Sequence, residues 1–130
     1  MAEVPPVPFI EHLGMRKLEA RDGVASFQFI ARPEHLNLSG AVHGGACMTL
    51  LDISMAYAAL SLCDVPQFVV TIELKSSFLR PAVGTLIGHG RVIHRTKRLA
   101  FLEGRLEDAT GAICTTATGT FRYVRASPTP

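Results

Sequence analysis

The chain has 130 residues, 48% of them hydrophobic and 18% charged, with a formal net charge of +2. That is one domain by size, apolar enough to build a core, and it excludes an intrinsically disordered chain. The charge is too small and dispersed for a nucleic-acid partner. Cys47, Cys63 and Cys114, odd in number and without framework spacing, fit a reducing cytoplasm better than a disulfide scaffold.

The start "MAEVPPVPFIEHLG" lacks a basic segment followed by an apolar run, so no signal peptide is expected. "PFIEHLG" reads as one or two helical turns stopped by Gly14. Asp22-Gly23, with alternating residues on both sides, predicts a hairpin of strands over about 15–21 and 24–32. The stretch "EHLNLSGAVHGG" is a loop. A long helix follows from His43 or Gly44 to Leu62, and Pro66 blocks its continuation. Residues 46–62 hold 13 apolar residues in 17, which is short for a membrane span and interrupted by Thr49, Asp52, Ser54 and Ser61. No membrane partner is expected.

Residues 68–80, "FVVTIELKSSFLR", are β-branched and aromatic and end at Pro81. "GTLIGHGRVIHR" is a strand whose glycines imply bulges or close packing. "LAFLEGRLED" alternates as a half-buried strand, and "AICTTATGTFRYV" closes the chain before a tail expected to be disordered from about residue 125. The whole of 1–130 thus reads as a single domain. There is no βαβ alternation and no repeat. A single helix that is apolar almost all round needs a wrapping partner, and a curved antiparallel sheet is the available one, giving an α+β fold.

The chemistry concentrates in "HLNLSGAVHGGACMTLLD". Free N–H groups at a helix start attract negative charge, and Gly44 and Gly45 let a ligand approach the main chain. Such a donor suits a carbonyl that becomes an oxyanion; the plain structural alternative is a tight loop-to-helix turn. Asp52, inside an apolar helix, is either hydrogen-bonded to a backbone group or an arginine, or is a general base with a raised pKa. Gly44 and Asp52 are eight residues apart, roughly 12 Å along one helix, so one helix cannot bring both to one reacting carbon. A two-fold partner could lay its Asp52 near this chain's Gly44, which calls for a dimer with shared sites. Asn37 could orient water or a carbonyl, and His43 offers a neutral imidazole at the helix start; the plain alternative for each is ordinary loop capping, which a lone asparagine favours. Cys47 reads as a small core filler rather than a nucleophile. His89 and His94 find no partner for a metal, and no metal site is expected.

These residues resemble the signature of the hotdog-fold acyl-CoA thioesterases, in the PaaI-like (phenylacetate-pathway) branch of the 4-hydroxybenzoyl-CoA thioesterase superfamily. Asn37 stands six residues before His43-Gly44-Gly45, and Asp52 eight after the first glycine. The resemblance covers essentially the whole chain and implies a sheet wrapped around one central helix. It implies Asp52 as the catalytic carboxylate, acting as base or nucleophile, and Gly44 as the backbone donor to the thioester carbonyl. His43 and Asn37 match supporting polar groups, and Thr71 falls near a position where some members carry a hydroxyl. Gly45, Arg80, Arg95, Lys97 and Arg98 are candidates for binding substrate or CoA phosphates; the last three sit at an expected strand-to-strand turn. The substrate implied is an acyl-CoA, with CoA part of the substrate and no separate cofactor. A dimer, or a dimer of dimers, in the cytoplasm is implied.

Two rivals stand beside this reading. One is a hydratase or dehydratase of acyl thioesters on the same fold, in which His43 and Asp52 would share the chemistry. The other is a non-catalytic acyl-CoA binding module, which would have no use for Asp52.

Overall fold

The structure is a computed structural model and describes residues 4–126. Helix α1, Pro8–Leu13, carries proline in its first turn and stops at Gly14, whose φ of 76° only glycine adopts freely. Strands β1 (Arg16–Arg21) and β2 (Val24–Ile30) form the expected hairpin. At its tip Asp22 and Gly23 both have positive φ, the turn that matches strand twist. β2 ends two residues short of expectation because Pro33 opens a turn of 3-10 helix, Pro33–His35.

Helix α2, Gly44–Leu60, is 17 residues long and about 26 Å at 1.5 Å per residue. Strands β3 (Gln67–Phe78), β4 (Thr85–Arg95), β5 (Leu99–Glu107) and β6 (Ile113–Arg125) follow. Residues 127–130, most of the expected disordered tail, lie outside the described residues; Arg125 itself is the last residue of β6. The six strands form one antiparallel sheet in the order β1-β2-β4-β5-β6-β3.

The sheet wraps α2 and supplies the other half of the core, with Phe29, Leu50, Leu51, Met55, Leu86, Leu102, Leu106 and Phe121 essentially inaccessible. Two glycines of β4 let the helix lie directly on the sheet. A Cβ at Gly90 would stand 2.5 Å from the Ser54 carbonyl oxygen, and one at Gly88 2.7 Å from Ser54 Oγ. The β4 glycines therefore mark close packing; the bulge in this strand lies at Ile93 instead. Helix and sheet are further tied by Ser61 Oγ, which accepts the Gly23 N–H at 2.8 Å and donates to Ala58 O, and by Tyr123 Oη, which donates to Ala59 O at 2.9 Å.

The wrap is incomplete on one side. Gly45, Met48, Asp52 and Ala56 are spaced by three or four residues, and all stay partly or fully exposed. Next to that open stripe runs the edge strand β3, whose Phe68, Val70 and Ile72 are 48%, 45% and 59% exposed.

Candidate active site

The loop before α2 is built by Asn37. Its side-chain Oδ1 accepts from Ser39 N–H at 2.9 Å, Ser39 Oγ at 2.8 Å and Ala41 N–H at 3.1 Å. Three donors on one atom make that atom the oxygen and leave the amide NH2 unengaged among the described residues. A backbone bridge pairs Leu36 with Val42, and His43 N–H donates to His35 O at 2.8 Å. The helix therefore begins from a fixed platform.

His43 is the N-cap. Its Nδ1 accepts the Gly45 N–H at 2.9 Å, and its carbonyl accepts from Ala46 and Cys47 N–H. An accepting Nδ1 places the ring proton on Nε2. Gly45, expected among the substrate contacts, has thus spent its donor on His43. Gly44 N–H has no acceptor among the described residues. The positive end of α2 consequently offers one free amide, at the position the sequence singles out. A pocket of about 510 Å³ opens beside it, lined by Asn37, Gly44, Cys47, Phe78 and Arg80, with Ala82 at its wall.

Asp52 sits elsewhere on the same helix and is half-buried on the open stripe, not sunk in the core as its apolar neighbours suggest. Its partner is neither backbone nor arginine: Thr71 Oγ1 donates to Asp52 Oδ1 at 2.6 Å. Burial raises the carboxyl above the usual aspartate range, and the Thr71 hydrogen bond opposes that shift without cancelling it. The sheet register explains how Thr71 arrives. Thr71 pairs with Phe121 and Glu73 with Thr120, so Ile72 is an extra, bulged residue in β3.

The basic candidates separate into two places. Arg80 joins Asn37 and Gly44 at the helix mouth. Arg95, Lys97 and Arg98 lie at the β4–β5 turn, as expected, and Arg95, though exposed, reaches back to the residues that follow α2. Its Nη1 donates to Leu62 O at 3.0 Å and its guanidinium lies 5.3 Å from the Tyr123 ring centroid, closing the carboxyl end of the helix. Lys97 and Arg98 flank a pocket of about 470 Å³ together with Arg122. Sequence reading missed Arg122. The pairing of Leu99 with Arg122 and of Arg122 with Val70 reveals it, and that places this basic group near the Thr71 end of the sheet.

Cys47 is buried and its thiol is pushed up to about 11, chiefly by burial. It remains protonated near neutrality and is no nucleophile. Among the described residues no three His, Cys, Asp or Glu side chains gather in a way that could hold a metal ion. Nor is any described helix long and apolar enough to cross a membrane.

Residues 39–115 match the sequence profile of the thioesterase superfamily, and the chain belongs to that family. A Pseudomonas aeruginosa protein carrying an esterase name is 34% identical over 90 residues, 68% of this chain and 66% of its own. The structure of the BH2602 protein from Bacillus halodurans with CoA superposes with a TM-score of 0.85 at 25% identity, covering 94% of this chain and 82% of that one. The E. coli PaaI protein of the phenylacetic acid degradation operon, at 22% identity, shares the fold with a TM-score of 0.85 over 95% and 88% of the two chains. The architecture is the hotdog fold, and membership of the thioesterase superfamily supports hydrolysis of an acyl thioester as the reaction class.

Proposed function

We propose that the chain hydrolyses acyl-CoA thioesters to a carboxylic acid and CoA, in sites each shared by two copies of the chain. The carrying observation is the division of labour on α2. Gly44 presents a free amide at the positive end of the helix, while Asp52, held by Thr71, presents a carboxylate with a raised pKa two turns further on. Their separation of roughly 12 Å forbids joint action on one carbonyl carbon within a protomer.

A second copy supplies the remedy. The exposed apolar edge β3 and the open helix stripe beside it form a surface that two-fold pairing would cover. The Gly44 N–H of one chain then polarises the thioester carbonyl. The partner's Asp52 takes a proton from water as that water attacks, and the thiolate of CoA leaves. Thr71 orients the carboxylate, and the amide NH2 of Asn37 offers a donor at the mouth. Arg80 on one side, and Lys97, Arg98 and Arg122 on the other, supply charge for the CoA phosphates. CoA in the Bacillus halodurans neighbour supports this choice of thiol. The hydratase rival gains nothing from the geometry, because His43 spends its Nδ1 on Gly45.

The test removes the amide without removing the helix. Gly44 is the first helical residue and His43 before it is extended, with ψ of 138°, the setting in which proline is tolerated. Gly44→Pro is expected to lower kcat by about 10²–10³, and Asp52→Asn by about 10²–10⁴, both read as thiol release from acyl-CoA. Wild-type rates in either folded variant would overturn the mechanism. Mixing the two variants, refolded together, is expected to restore about a quarter of the wild-type rate, since only hybrid dimers contain one intact site.

A further inference from the structure

Phe78 closes β3 with 53% of its surface exposed, although the fold has a full apolar core to receive an aromatic ring. It lies against the helix mouth instead. Its Cζ is 3.4 Å, and its Cε1 3.6 Å, from the point where a Cβ on Gly44 would stand. The ring also walls the 510 Å³ pocket that Gly44 lines.

The bulge puts it there. Thr71 and Phe78 are seven residues apart, an odd number, so in a regular strand their side chains would point to opposite faces. The extra residue at Ile72 shifts the alternation by one. One strand thereby turns Thr71 toward Asp52 and Phe78 toward Gly44.

We propose that Phe78 is a specificity-determining residue: its ring is the wall of the slot in which the acyl α-carbon lies, and it selects acyl groups whose α-carbon is an unbranched methylene. This rests on the reading of Gly44 as the group that holds the thioester carbonyl. A carbonyl oxygen 2.7–3.1 Å from that amide brings the α-carbon into the pocket that Gly44 and the Phe78 ring both line. A methylene passes beside the ring. A second substituent on the same carbon meets the ring face, and the fixed platform of the loop keeps the helix from yielding.

The experiment compares hexanoyl-CoA with 2-methylhexanoyl-CoA, which differ only by the α-methyl group, for wild type, Phe78→Leu and Phe78→Ala, by thiol release. Wild type is expected to favour the straight chain in kcat/KM by about tenfold or more, the scale of one misfitting methyl group. Phe78→Ala is expected to erase most of that preference, and Phe78→Leu, which keeps an apolar contact on Gly44, part of it. In parallel, a non-hydrolysable hexanoyl-CoA thioether is expected to bind Phe78→Ala several-fold more weakly, a readout independent of turnover. An unchanged ratio in folded Phe78→Ala overturns the proposal; should that variant fail to fold, an unchanged ratio in Phe78→Leu does so. Failure of the underlying mechanism has a different signature, a Gly44→Pro chain that still hydrolyses at the wild-type rate.

Discussion

Asp52 and Thr71 make a pair whose behaviour follows from two opposing effects. Burial destabilises the charged carboxylate, and the hydroxyl donating at 2.6 Å stabilises it. Hydrolysis that requires ionised Asp52 fades as pH falls through its raised pKa, so the acid limb lies above the ordinary aspartate value of about 3.9. Thr71→Val removes only the stabilising partner. The limb is expected to move to higher pH, which a kcat/KM profile checks. The stability consequence has the opposite sign from that of a salt-bridged acid. A carboxyl raised by folding binds its proton more tightly folded than unfolded, so stability is lost as pH rises from the unfolded value through the folded one. Asp52→Asn is therefore expected to melt higher than wild type at pH 7, with the difference vanishing in acid. Buried Cys47, with its thiol pushed up to about 11, is expected to resist iodoacetamide in folded protein at pH 7.5, with mass spectrometry as the readout.

At the scale of elements, the joint between α2 and β4 has almost no tolerance. Gly90→Ala would drive a methyl onto the Ser54 carbonyl group, a backbone neighbour that cannot rotate away. A loss of about 1–3 kcal/mol or more is expected in denaturant melts. By comparison Gly84, with open space around its Cβ position but a φ of 75°, should cost less when replaced by alanine. The elements were largely legible in the residues themselves. Asp22-Gly23 gave the hairpin, Pro66 bounded the helix to within two residues of its end at Leu60, and the glycines of β4 signalled the close approach. The bulge at Ile72 was not legible, because "TIELKSSF" contains no glycine or proline to mark a break. Without the bulge the sequence offers no way to know that Thr71 and Phe78 share a face. The contacts of Arg95 were not legible for a related reason: Leu62 O and the Tyr123 ring are distant in sequence and meet it only through the wrap.

At the scale of the whole molecule, the edge strand β3 exposes Phe68, Val70 and Ile72. Unpaired edges invite pairing, and here the apolar edge adjoins the stripe that carries Asp52. Ile72→Lys places a charge on that edge and is expected to shift the protein toward monomer in analytical ultracentrifugation, with thiol release falling in step. A monomer that keeps full activity would contradict shared sites.

The absence of side chains on Gly88 and Gly90, where α2 crosses β4, reaches beyond stability. A helix seated there against Gly88 and Gly90 has its height on the sheet set by close contact at two points, and with it the place from which α2 presents Gly44 and Asp52. Pocket walls such as Phe78 and Leu79 are then free to diverge between descendants. A lineage can change the acid it releases without relearning how to release it.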